Sequence, residues 1–188
     1  MLDAFFSSLV LIFLSEMGDK TQLLALFLAA RFCQKYAIVL GIFVATVANH
    51  VVSAWFGVWL SQLIENGILT WITGIAFIVV GLWLLIPDKD DEKQQTLRYG
   101  AFLTTVILFF LAEIGDKTQI ATVILAVNYN SVLMVVLGST IGLLLANAPV
   151  IWLGEKLIHK IPIKVVHIAA CVLFCVTGIW ILLKAMMA

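Results

Sequence analysis

The chain has 188 residues, 63% of them apolar and 12% charged, with a mean hydropathy of +1.14. Soluble domains run at roughly half apolar and about a quarter charged, so an ordinary soluble enzyme, a disordered chain and a nucleic-acid binder with a basic stripe are excluded. Eleven basic and eleven acidic residues cancel, so the positions of the charges are informative and their sum is not.

A membrane-spanning helix needs about 20 mostly apolar residues. Six such segments follow one another, at roughly 4–30, 36–60, 68–86, 99–127, 131–153 and 164–186. Short polar stretches divide them: Arg31 to Lys35, Ser61 to Gly67, Pro87 to Arg98, Asn128 to Asn130, and Glu155 to Lys164 with Pro162 inside it. The longest is about a dozen residues, too short for a soluble domain. The N-terminus, Met1-Leu2-Asp3-Ala4-Phe5, has no basic region and no small-residue cleavage site follows, so no removable signal peptide is expected. Cys33, Cys171 and Cys175 do not make a disulfide framework and read as small packing residues.

Six spans put both termini on one side. The first, third and fifth connections, on the other side, carry Arg31, Lys35, Lys89, Lys93, Arg98, Lys156, Lys160 and Lys164, against Lys184 alone on the terminal side. The positive-inside rule therefore places both termini outside the cytoplasm. The acidic run Asp88, Asp90, Asp91 and Glu92 reads as a solvated loop.

Shifting the chain by 97 positions aligns it with itself without a gap, giving 25 identities in 91 pairs. Glu16 meets Glu113, and Gly18-Asp19-Lys20-Thr21-Gln22 meets Gly115-Asp116-Lys117-Thr118-Gln119. Repeat 1 covers about residues 1–87, repeat 2 about 98–188, with a cytoplasmic linker at 88–97. Each repeat has three spans, an odd number, so the second enters the membrane from the opposite side. The fold predicted is an all-α integral membrane protein of six transmembrane helices, arranged as two inverted-topology three-helix repeats in a single transporter domain. Secondary transporters use this architecture, with the site near the midplane.

Glu16, Asp19, Lys20, Glu113, Asp116 and Lys117 fall in mid-span. Each costs about 2.5–3.5 kcal/mol there, so pairing and a function are required. On a continuous helix each trio shares one face about 100° wide. Brought together, four carboxylates and two ammonium groups sum to −2, which a divalent cation or two protons neutralise. Carboxylates with the oxygens of Gln22, Gln119, Thr21 and Thr118 suit Mg²⁺, Ca²⁺ and Mn²⁺, and disfavour Zn²⁺ and Cu⁺. Lys20 and Lys117 are the charge partners of these acids. The Met17 thioether, whose counterpart is Ile114, reads as packing. Asn49, His50 and Asn147 are secondary candidates in the flanking spans, with His50 readable as a proton carrier or a satisfied core histidine. Gly41-xxx-Ala45 and Gly138-xxx-Gly142 are faces for close helix contact.

The repeated Glu-x-Gly-Asp-Lys-Thr, at Glu16–Thr21 and Glu113–Thr118, resembles the motif of a family of small cation/proton antiporters of Golgi membranes, chloroplasts and bacteria. The bacterial members it is most similar to are the MneA-type manganese exporters. The resemblance spans the whole two-repeat unit. It implies exchange of Mn²⁺ or Ca²⁺ for protons, with Glu16, Asp19, Glu113 and Asp116 as ligands and proton sites, and Mn²⁺ export across a bacterial inner membrane. No enzymatic role, resident cofactor or nucleic-acid partner is expected, and the sequence sets no oligomeric state. A passive divalent-cation channel is the alternative, which paired lysines and an inverted repeat disfavour.

Overall fold

The computed structural model describes residues 2–86, 99–154 and 163–187. The predicted linker 88–97, the polar stretch from Glu155 to Pro162, and with them Lys89, Lys93, Arg98, Lys156 and Lys160, lie outside the described residues. Eight helices make up the described chain, with no strand among the described residues: α1 (Leu2–Glu16), α2 (Lys20–Phe32), α3 (Lys35–Leu63), α4 (Asn66–Trp83), α5 (Ala101–Glu113), α6 (Lys117–Tyr129), α7 (Val132–Leu153) and α8 (Ile163–Met187). Three of them, over Lys35–Leu63, Val132–Leu153 and Lys164–Met187, are long and apolar enough to cross a membrane.

The spans expected at 4–30 and 99–127 are each two helices. The first breaks between Glu16 and Lys20, the second between Glu113 and Lys117. Gly18 and Gly115 stand at φ 83° and 76°, a left-handed conformation that glycine adopts without a Cβ clash. Asp19 and Asp116 then take extended N-cap conformations and open α2 and α6. The amide of each aspartate returns to the carbonyl of the glutamate three residues earlier, at 3.2 Å in both copies. The aspartate amides thus stay hydrogen-bonded through each turn.

Packing recurs under the 97-residue shift. α1 lies along α7, and α5 along α3. A Cβ on Gly138 of α7 would run into Phe5 and Ser8 of α1, and one on Gly41 of α3 into Phe102 and Thr105 of α5. The two sets are counterparts residue by residue. The broken segment of each half therefore docks on the long helix of the other half. α4 and α8 pair antiparallel, Gly74 against Gly178 and Gly81 against Phe174. Counterparts Phe77 and Phe174 meet with ring centroids 5.8 Å apart. Cys175 packs its sulfur toward Gly81, 4.0 Å from that of Cys171, in keeping with packing thiols.

Candidate metal centre at two helix breaks

Both breaks put chemistry at helix ends. Glu16 and Glu113 are the last residues of α1 and α5, where the helix dipole is negative. Asp19 and Asp116 cap α2 and α6, where it is positive and favours a carboxylate. A glutamate at a C-terminal end is held against the local field, and a cation relieves that arrangement.

The threonines and glutamines of the motif bind the half-helices across each break. Thr21 Oγ1 donates to Glu16 Oε2 at 2.8 Å, and Thr118 Oγ1 to Glu113 Oε2 at 3.2 Å. Gly18 N–H donates to Gln22 Oε1 at 3.0 Å, and Gly115 N–H to Gln119 Oε1 at 2.6 Å. Gln22 also donates through Nε2 to the Ala146 carbonyl of α7 at 2.8 Å. The amide oxygens thus hold the break in shape and are already accepting. The second oxygen of each glutamate, Oε1, is buried with no hydrogen-bond donor among the described residues.

The acids of the two halves come together. Glu16, Asp19 and Asp116, all buried, each offer an oxygen within 4.8 Å of the other two. Glu113 is as deeply buried as Glu16, at 1% and 0% exposure, and sits in the equivalent place at the second break. Carboxylate oxygens at this separation, drawn from two helix breaks, match the hard-oxygen preference of Mn²⁺ and Ca²⁺.

The lysines differ from the expectation of one continuous helix face. Once the helix breaks between Glu16 and Lys20, i,i+4 spacing no longer brings them side by side. Lys20 Nζ instead reaches across to Asp116 Oδ2 of the other half, at 3.5 Å, and its side chain is 33% exposed. Lys117 is buried and donates to the Ile86 carbonyl beyond the end of α4, at 2.7 Å.

The secondary candidates are all buried in α3 and α7. Asn49 Nδ2 donates to the Phe110 carbonyl of α5 at 3.2 Å, and Asn147 Nδ2 to Leu143 of its own helix at 3.1 Å. His50 Nδ1 lies 2.8 Å from Ser139 Oγ and 3.5 Å from Thr140 Oγ1, and it is not in the group of acids. Sequence reasoning missed His167 of α8, whose Nε2 lies 2.9 Å from the Met17 carbonyl at the first break. A histidine inside the apolar span 164–186 was the signal that pointed to it.

The family profile described as divalent cation/proton antiporter GDT1 matches the chain twice, over residues 4–92 and 101–188, once per repeat. The chain is 43% identical over 168 residues to a Vibrio cholerae protein named "Putative manganese exporter", covering 89% of this chain and 84% of that one. It is 31% identical over 199 residues to GDT1-like protein 3 of Oryza sativa subsp. indica, covering 92% and 71%. To GDT1-like protein 5 of Arabidopsis thaliana it is 28% identical over 222 residues, covering 97% and 96%. No solved structure matches. The chain belongs to the GDT1 family of divalent cation/proton antiporters.

Proposed function

We propose that this protein is a secondary active transporter of the bacterial inner membrane that exports a divalent cation, Mn²⁺ ahead of Ca²⁺, in exchange for protons. The observation that carries the reading is the meeting of Glu16, Asp19 and Asp116 oxygens within 4.8 Å at two buried helix breaks. Glu113 completes the ligand set from the second break. Gln22 and Gln119 orient it while presenting their amide oxygens nearby, and Thr21 and Thr118 fix one oxygen of each glutamate. Lys20 and Lys117 offset the negative charge between loading events.

The same reading takes the molecule as six spans, two of them broken, in two inverted three-helix repeats with both termini outside. The reciprocal contacts under the 97-residue shift support it. So do broken helices, which in transporters bring helix ends and backbone carbonyls to a midplane site.

Exchange follows from competition. Protons and metal claim the same carboxylate oxygens, so loading by one expels the other without a separate proton channel. Cytoplasmic metal displaces protons, the loaded site turns to the outside, protons release the ion there, and the protonated carrier returns. Metal affinity should therefore fall as pH falls through a titration shared by the cluster.

Purified protein in proteoliposomes tests this with Mn²⁺ and Ca²⁺ assayed separately. Uphill metal movement driven by a proton gradient, and lost when the gradient collapses, is the expected result. Metal conductance indifferent to the proton gradient would instead identify a channel. An affinity flat between about pH 5 and 8 would remove the carboxylates from the coupling step.

A further inference from the structure

His167 lies outside both motif copies, in the second turn of α8. The Met17 carbonyl beside it only accepts, so His167 Nε2 carries the proton and donates across the 2.9 Å contact. Met17 is the first residue beyond α1, and the turn at Gly18 takes its carbonyl out of the helical ladder. A second tether mirrors this one: Lys117 at the other break donates to Ile86, three residues beyond the end of α4. Because α4 and α8 run antiparallel, Ile86 and His167 belong to the same end of the pair. That end is therefore tied to both breaks at once.

The pair also leans to one side. α8 packs on α1, and α4 packs on α6. These are the half-helices whose far ends meet where Tyr129 Oη donates to Ser7 Oγ at 2.8 Å. The opposite half-helices, α2 and α5, contact each other. An antiporter built from repeats must tilt such a pair both ways. The 97-residue shift does not repeat the chemistry of the tethers: the counterpart of His167 is Thr70, a different donor on a shorter side chain, and the counterpart of Ile86 is Leu183, which lies inside α8.

We infer that His167 is a positioning residue of the exchange cycle, a latch that holds the α4–α8 pair in its lean toward α1 and α6 and must let go of Met17 when the pair tilts the other way. The inference rests on the transport reading above. In this lean the pair packs on α1 and α6, the half-helices of the end holding the N-terminus, with no comparable packing on α2 or α5 among the described residues, so the Arg31 end is the expected side of approach to the acids.

The test compares wild type, His167→Leu and His167→Gln, the last of which keeps a donor. Mn²⁺ half-saturation is measured from each face of the membrane in vesicles of both orientations. A vacated latch raises half-saturation at the Arg31 face relative to the other face by about fivefold, the weight of one net hydrogen bond. A merely structural lesion lowers rates from both faces and leaves the ratio alone. His167→Gln should return the ratio to the wild-type value. An unchanged ratio in His167→Leu, or an equal shift in His167→Gln, overturns the latch. If wild type moves no Mn²⁺ from either face, the transport reading fails, and amide hydrogen exchange on the purified proteins still decides the latch. Residues 17–19 and the first turns of α8 should exchange faster in His167→Leu than in the other two, and equal exchange in all three overturns it.

Discussion

The two helix breaks carry the same six motif residues and reach the same backbone, yet their lysines do different things. At both, glycine takes a positive φ, the aspartate amide returns to the glutamate carbonyl, threonine holds glutamate and glutamine holds the glycine amide. Lys20 crosses to Asp116 with a third of its side chain exposed, whereas Lys117 is buried and tied to Ile86. Asp116 caps its helix by accepting from Lys117 N at 2.7 Å, while Asp19 makes no side-chain cap bond. Short-range geometry is fixed by the motif and so appears twice. Long side chains report what surrounds each copy, and the surroundings differ: α8 packs on α1 and α4 on α6, with no comparable packing on α2 or α5 among the described residues.

The largest expected effect treats the copies as equals. Asp19→Asn and Asp116→Asn each remove a full charge from the proposed ligand group. A unit charge pair about 4 Å apart is worth about 4 kcal/mol at an effective dielectric near 20, on the order of a thousandfold in affinity. Each variant should lose Mn²⁺ binding and proton-driven efflux while still inserting in the membrane. Wild-type efflux by the double variant would end their role as ligands.

Next come the glycines at the reciprocal helix contacts. A methyl group on Gly41 or Gly138 must displace a neighbouring backbone carbonyl, at a cost of roughly 1–3 kcal/mol. Gly115 has no atom within 4 Å of an added Cβ, so Gly115→Ala carries backbone strain alone, about 1 kcal/mol. Thermal unfolding in detergent should rank Gly41→Ala and Gly138→Ala together, below Gly115→Ala in stability. A wide gap between Gly41→Ala and Gly138→Ala would break the equivalence of the two halves.

Much of this was legible before any coordinates. Gly41-xxx-Ala45 and Gly138-xxx-Gly142 were expected to allow close helix contact, and Gly41 and Gly138 do lie against the Phe102 and Phe5 carbonyls of α5 and α1. Four acids were expected to meet; three of them, Glu16, Asp19 and Asp116, offer oxygens within 4.8 Å of one another, and Glu113 is not in that group. The breaks were hidden because hydropathy averages over a window and three turn residues barely alter it. A glycine followed by a capping aspartate was the local trace they left. The cross-pairing of Lys20 was also hidden, because i,i+4 reasoning presumes that the helix continues. His167 could not be placed from sequence, since only the tertiary arrangement shows which carbonyl the first break sets free.

The lysines give a smaller effect that splits the copies. Lys20→Met removes a positive charge 3.5 Å from Asp116, so the site should hold Mn²⁺ roughly tenfold more tightly and release it more slowly. Lys117→Met removes the tether to Ile86, so it should alter the two-sided half-saturation ratio in the manner of His167→Leu. Identical profiles for the two variants would mean that the difference in their surroundings has no bearing on transport.

The smallest effect resolves the copies most finely. Thr21 and Thr118 are both buried, and each fixes one oxygen of its glutamate, while Oε1 has no donor among the described residues. Valine has the same shape without the hydroxyl, so the substitution removes the hydrogen bond and little else. A bond from a hydroxyl to a charged group is worth about 1.5–3 kcal/mol, and part of that is recovered when the freed oxygen turns to the metal. The Thr21–Glu16 bond is 2.8 Å and the Thr118–Glu113 bond 3.2 Å, so the first copy is the more tightly pre-set. Thr21→Val should weaken equilibrium Mn²⁺ binding by roughly tenfold and Thr118→Val by about threefold, with the serine variants close to wild type. Pre-organisation of the glutamates would be refuted by valine variants that bind as well as wild type. Equal losses at the two positions would mean that the difference in bond length carries no weight, and that the breaks act on the ion as one symmetric pair.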